Sequence, residues 1–213
     1  MVRQGAHRLE QKAARWRRRE GERAVEERCC GFQYRAEGAY PPVRPAGHNS
    51  RYAGMMLGNL GGSGSEMSAV ALYSYDRLMT AELPEVSEVF RQVSLVERDH
   101  MDIFGELARQ LGADPRLWCR QGGRPTWWTP CYLNYASSLE AMLRVALREE
   151  RMAVRRYREQ MESIHDENIV DNLECIIRDE EEHIKIFESL CETYGDAKRG
   201  GEQGTGGRIF STK

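Results

Sequence analysis

The chain has 213 residues, 40% hydrophobic and 30% charged, which fits one globular domain with flanking extensions. Its formal net charge of −2 argues against a nucleic-acid partner for the chain as a whole. No apolar run approaches the ~20 residues needed to span a bilayer, and Arg17, Arg18 and Arg19 lead into Glu20, Glu22, Glu26 and Glu27 rather than into the apolar stretch of an export signal, so a cytoplasmic protein without a membrane partner is expected.

From Met1 to Arg23 the chain carries eight Arg or Lys against three Glu and few large apolar residues, so residues 1–39 read as a basic, disordered N-terminal extension. A helical domain is expected over residues 40–194. Its first helix runs from Asn49, a residue type that caps helix N-termini, to Thr80, with Gly61, Gly62 and Gly64 weakening the middle. The second begins at Pro84, whose fixed φ and missing N–H suit a first turn, and ends near Leu111, before Gly112. Its apolar stripe is Val89, Val93, Val96, Ile103, Phe104, Leu107 and Leu111. The third opens at Ser137, with Glu140 three residues on as a capping box, and runs to about Ser163. The fourth follows His165 and Asp166 and ends at Tyr194, before Gly195. Residues 195–213 hold six glycines and read as a flexible tail.

The joins between the first and second helices and between the third and fourth are short, so each pair is expected to form an antiparallel hairpin. Residues 112–136, with Trp118, Trp127 and Trp128, form a long join between the hairpins. Two hairpins and one long crossover predict an all-α, ferritin-like four-helix bundle, with the tryptophans packing the crossover onto it. The six cysteines show no Cys-x-x-Cys spacing and read as free thiols, although Cys119 and Cys131 share the crossover and could pair.

The two hairpins repeat each other. Glu66, Ala69, Val70 and Tyr73 in the first helix are matched by Glu150, Ala153, Val154 and Tyr157 in the third. Glu97, His100, Ile103, Phe104 and Leu107 in the second are matched by Glu180, His183, Ile186, Phe187 and Leu190 in the fourth. The two glutamates lie 31 residues apart in one copy and 30 in the other. Residues three apart on a helix point the same way, so each Glu-x-x-His presents a carboxylate and an imidazole together, on the apolar face. Four carboxylates facing one interior would cost at least several kcal/mol per uncompensated ion. Two divalent cations cancel their charge. The expected ligands are therefore Glu66, Glu97, His100, Glu150, Glu180 and His183, with some glutamates bridging and one histidine per ion. Oxygen and imidazole donors suit iron or manganese. Glu149, Glu181 and Glu182 are possible competitors, but the repeat register selects Glu150 and Glu180. Tyr73 and Tyr157 lie on the same faces as their glutamates, either as core residues or as groups acting beside the ligands.

Over residues 40–194 the chain resembles the rubrerythrin-like branch of the ferritin-like superfamily. The resemblance is carried by Tyr52-Ala53, Ser65-Glu66, the Glu97/His100 motif, the run from Gly112 to Pro115, and the run from Ile176 to His183. It implies a di-iron centre that reduces hydrogen peroxide or oxygen, and further copies of the chain in a homo-oligomer. The rubredoxin-like centre of that branch, with its paired Cys-x-x-Cys motifs, has no counterpart here, so electrons are expected from a separate donor protein. The branch also carries an extra glutamate three residues before the third-helix ligand, where this chain has Leu147. The remaining six ligands also suit a di-manganese catalase. A metal-binding or coat protein without enzymatic activity is the third expectation.

Overall fold

The computed structural model describes residues 31–195, so the reading of residues 1–30 as a basic, disordered extension and of the tail beyond Gly195 lies outside it. Five α-helices follow in order: α1 (Ser50–Gly61), α2 (Glu66–Met79), α3 (Pro84–Gln110), α4 (Leu139–Met161) and α5 (Glu167–Gly195). Between α3 and α4 lie strands β1 (Trp118–Gln121) and β2 (Arg124–Trp127), then a 3₁₀ turn over Pro130–Tyr132. Helices α2 and α3 form one antiparallel hairpin and α4 and α5 the other, giving the expected four-helix bundle with α1 and α2 together as its first helix. No helix among the described residues is long and apolar enough to cross a membrane.

Four expectations need correction. The first helix is not continuous. A Cβ on Gly61 would lie 2.9 Å from the Leu117 Cα and the Trp118 nitrogen, so the crossover backbone presses on the helix where only glycine fits. The chain leaves α1 there and restarts at Ser65, whose hydroxyl accepts from the Ser68 N–H. Glu66 thereby becomes the first residue of α2, where the positive end of a helix favours a carboxylate.

The cap of α4 is Ser138, whose hydroxyl accepts from the Ala141 N–H at 3.3 Å, rather than Ser137. Glu140 is then one residue too early to close a capping box and pairs with Arg144 instead.

The crossover carries a β-hairpin that the helical periodicity does not announce. Trp118 stands opposite Trp127 across it, and Gly122 and Gly123 turn it with φ of 57° and 80°. Positive φ at both turn residues is the form that follows the twist of the strands. The Trp128 indole N–H donates to the Ser68 hydroxyl, fixing the crossover to α2. Cys119 and Cys131 are free thiols.

Finally, residues 31–39, expected to belong to the extension, pack on the bundle. Phe32 and Tyr34 lie against an apolar cluster that includes Val93, Met142 and Phe187. The Ala36 N–H donates to Asp179 of α5 at 2.7 Å. Two aromatics, the Arg35–Asp99 ion pair and hydrogen bonds to Asp179 seat a segment that has no helical stripe.

Two apolar layers fill the bundle. One joins Met56, Leu60, Phe104, Leu107, Leu173 and Ile176, and the other joins Leu72, Phe90, Val93, Leu143, Ile186 and Phe187. The buried ionisable groups of the repeat are held in the same interior.

Candidate metal centre

Each hairpin delivers three of the six repeated groups. Helix α3 presents Glu97 and His100, and α5 presents Glu180 and His183, while Glu66 comes from α2 and Glu150 from α4. None is more than 2% exposed. The groups divide into two overlapping sets whose ligand atoms lie within 4.8 Å of one another: Glu66, Glu97, His100 and Glu180, and Glu97, Glu150, Glu180 and His183. Glu97 and Glu180 belong to both. The competing Glu149, Glu181 and Glu182 are partly exposed and pair with Arg148, Arg158 and Lys185.

The histidine tautomers follow from their outer partners. His183 Nε2 lies 3.0 Å from the Tyr34 carbonyl oxygen, which can only accept, so Nε2 carries the hydrogen. His100 Nε2 lies 3.1 Å from both the Asp179 carboxylate and the Tyr40 hydroxyl. Tyr40 in turn donates to Asp179. Both Nδ1 atoms therefore face inward: His183 Nδ1 is 2.9 Å from Glu97 Oε1 and 3.1 Å from Glu180 Oε2. His100 Nδ1 is 3.2 Å from Glu97 Oε2 and 3.3 Å from Glu180 Oε1. A bare nitrogen lone pair facing carboxylate oxygens at that range is repulsive, so a proton or a metal ion must lie between them.

With protons alone, the charges settle unevenly. Burial by itself lowers both histidines, but the charges of Glu180 and Glu97 and the hydrogen bonds to the carboxylates hold them well above their ordinary range. Burial pushes Glu97 and Glu180 up, yet the two histidines pull both below the usual carboxylate range. Glu66 and Glu150 are raised well above it, first by burial and then by the charges of Glu180 and Glu97. Protons held on Glu66, Glu150 and the two histidines thus stand in for part of the positive charge that metal ions would bring. Glu97 Oε1 and Glu180 Oε1 are buried and make no well-aligned hydrogen bond, although His183 Nδ1 and His100 Nδ1 lie 2.9 and 3.3 Å from them. Close but poorly aligned imidazole nitrogens beside the two shared carboxylates fit a pair of ions better than a proton network.

The tyrosines cross between hairpins. Tyr73 of α2 donates to Glu150 Oε1 at 2.5 Å, and Tyr157 of α4 donates to Glu66. Each therefore orients the opposite hairpin's glutamate. Sequence reasoning placed each tyrosine with the glutamate of its own helix.

Four further residues escaped the sequence reading: Tyr34, Tyr40, Asp179 and Arg156. The Arg156 guanidinium lies 4.8 Å from the centre of the Tyr157 ring and donates to its hydroxyl at 2.9 Å. The repeat held a signal for two of them, because Asp179 and Arg156 stand where the first copy has Val96 and Leu72. A pocket with about 40 Å³ of room reaches this layer, lined by Ser65, Glu66, Tyr73, Tyr132, Glu150 and Arg156 among others.

Comparison with known proteins agrees with this geometry. The sequence profile of the Rubrerythrin family matches residues 63–191, a span containing all six groups. No match was found among curated proteins. Among solved structures, the chain is similar to KatB, a manganese catalase from Anabaena, with a TM-score of 0.69 and 20% identity over 82% of this chain and 86% of that one. It is also similar to a bacterioferritin from Rhodobacter capsulatus, with a TM-score of 0.61 and 20% identity over 72% of this chain and 92% of that one.

Proposed function

The chain belongs to the rubrerythrin family and carries a carboxylate/histidine site for two metal ions, and from that premise we propose that it is a non-haem di-iron protein that reduces hydrogen peroxide, or oxygen, with electrons from a separate donor protein. The observation that carries the reading is the pair of overlapping ligand sets sharing Glu97 and Glu180, with one inward-facing histidine in each. Glu66 and His100 would hold one ion and Glu150 and His183 the other, with the shared glutamates between them. When bound, two iron(II) ions supply one electron each to cleave an O–O bond.

The chain's own residues hold the charge and control access. Four carboxylates match two divalent ions, and Asp179 beside His100 and Arg156 beside Tyr157 add one charge of each sign at separate points. Tyr73 and Tyr157 hold Glu150 and Glu66 by hydrogen bonds and keep hydroxyl protons beside the reacting face. The pocket's roughly 40 Å³ has room for one or two water-sized groups, enough for hydrogen peroxide. The reaction H₂O₂ + 2 e⁻ + 2 H⁺ → 2 H₂O ends each cycle with an oxidised site, so turnover needs the donor.

A di-manganese catalase is the second reading. Leu147 packs half-buried against the apolar cluster at the position where rubrerythrin-like proteins carry their additional glutamate. The six-ligand set that remains also suits a catalase, which disproportionates peroxide without a donor. Peroxide consumption and oxygen release, followed together on iron-loaded and manganese-loaded protein, separate the two. Donor-dependent peroxide loss without oxygen supports the first reading. Sustained donor-free release of about one oxygen per two peroxides, the stoichiometry of dismutation, overturns it.

A further inference from the structure

The two histidines of the repeat are equivalent in sequence, but their outer nitrogens are held by different means. His100 donates to Asp179, a buried carboxylate on the rigid helix α5. The repeat position that would hold His183 in the same way is Val96, which has nothing to accept with. His183 Nε2 meets the Tyr34 carbonyl instead, on an irregular segment that precedes the bundle. That segment is held at separate points. Phe32 and Tyr34 lie against the apolar cluster, Arg35 pairs with Asp99, and the Ala36 N–H and Tyr40 hydroxyl reach Asp179. Between Arg35 and Tyr40 it spans a cavity of about 310 Å³, floored by Cys175, Arg178 and Asp179.

We propose that residues 32–40 form a strap that positions the histidine ligands unequally: His183 Nε2 has the Tyr34 carbonyl of the strap as its acceptor, whereas His100 Nε2 has the helix-borne Asp179 carboxylate, with the strap's Tyr40 hydroxyl beside it as a second contact. This inference rests on the dinuclear reading of the site. A metal-ligating imidazole must keep its hydrogen on the outer nitrogen and its ring in plane with the ion, and the outer acceptor enforces both. Removing such an acceptor typically costs about 10–100-fold in metal affinity. Loosening the Phe32–Tyr34 end of the strap should therefore weaken the ion held by His183 more than the one held by His100. Tyr34 and Asp179 are positioning residues, since neither reaches the ions.

The test uses the full chain, cobalt(II) as a spectroscopic probe and no turnover. Anaerobic titration followed by visible absorption counts the ions, and proton NMR of the cobalt-loaded protein shows each bound imidazole N–H as a shifted, exchangeable signal. The unaltered chain should take up two ions and show two such signals. Phe32→Ser with Tyr34→Ser peels the strap while leaving the bundle core intact, which circular dichroism checks. This variant should lose about tenfold or more in affinity for one ion, and one imidazole signal should exchange rapidly. Asp179→Asn should disturb the other signal. Two ions bound equally well, with both signals unchanged in the strap variant, would overturn the strap. A chain that takes up no cobalt in its unaltered form would overturn the dinuclear reading itself, and the inference with it.

Discussion

Asp76 provides a quantitative test of the interior. It lies on α2 one turn beyond Tyr73, is 1% exposed, and neither carboxylate oxygen receives a hydrogen bond. Its repeat counterpart Gln160 exchanges hydrogen bonds of 2.7 and 2.9 Å with Asn59, but the residue matching Asn59 is Leu143. Burial pushes the Asp76 carboxyl up to about 7. An unfolded aspartate titrates near 3.9, so the shift is about 3 units, or about 4 kcal/mol at 1.36 kcal/mol per unit. The folded state binds the proton more tightly, so stability is intact below the unfolded pKa, falls as pH rises from about 4 to about 7, and is flat above. Between pH 5 and pH 8 the loss is about 2.5 kcal/mol. Asp76→Asn cannot ionise and should escape it. Urea unfolding of metal-free protein, variant against unaltered chain at each pH, isolates this group because the other titrations cancel. The variant's advantage should grow by about 2.5 kcal/mol from pH 5 to pH 8. A difference that stays constant within about 0.5 kcal/mol, near the error of such extrapolations, would show that Asp76 is solvated or paired.

Glu150→Ala should lose about one metal ion per chain while Glu149→Ala keeps both, as elemental analysis would read, because adjacent helix positions point about 100° apart. Equal retention in the two variants would mean that the register is wrong. Loading divalent ions in weakly buffered solution should release protons, since Glu66, Glu150 and the two histidines are raised in the metal-free site and must deprotonate to bind, and affinity should rise with pH. Uptake of metal without proton release, measured by a pH indicator, would contradict those raised values. Tyr157→Phe should weaken metal binding less than Glu66→Ala, with its effect confined to one ion in cobalt titrations; loss of both ions would mean that the hydroxyl has a wider structural role. Cumene hydroperoxide should be consumed more slowly than hydrogen peroxide, given the small room beside Glu66 and Glu150; equal rates would mean that this pocket is not the route to the site.

The bundle and the clustering of the six groups were legible because both depend on periodicity. A three-residue spacing on an apolar stripe fixes direction within a helix, and the duplicated motif fixes which helices face one another. What escaped depends on tertiary contact. Gly61 and Gly62 were visible as weak points, but that α1 ends there follows from the pressure of Leu117 and Trp118, distant in sequence, on Gly61. The Gly122–Gly123 turn carried a hairpin signal, while Pro125 and the four-residue strands hid the pairing on either side. The strap was hidden because its contribution to His183 is a backbone carbonyl, which no side-chain pattern encodes. Asp179 and Arg156 could have been found as charged residues breaking an otherwise apolar repeat at Val96 and Leu72. The crossed tyrosines follow from how the hairpins face each other, which spacing within one helix does not contain.

The most direct test of the proposed function is a single-turnover measurement on reduced, iron-loaded protein without a donor, titrated anaerobically with hydrogen peroxide while oxygen is monitored. Two iron(II) ions hold two electrons, so about one peroxide per chain should be consumed, no oxygen should appear, and consumption should stop until a reductant is added. Continued consumption with oxygen release, or no consumption by fully loaded protein, would contradict the account.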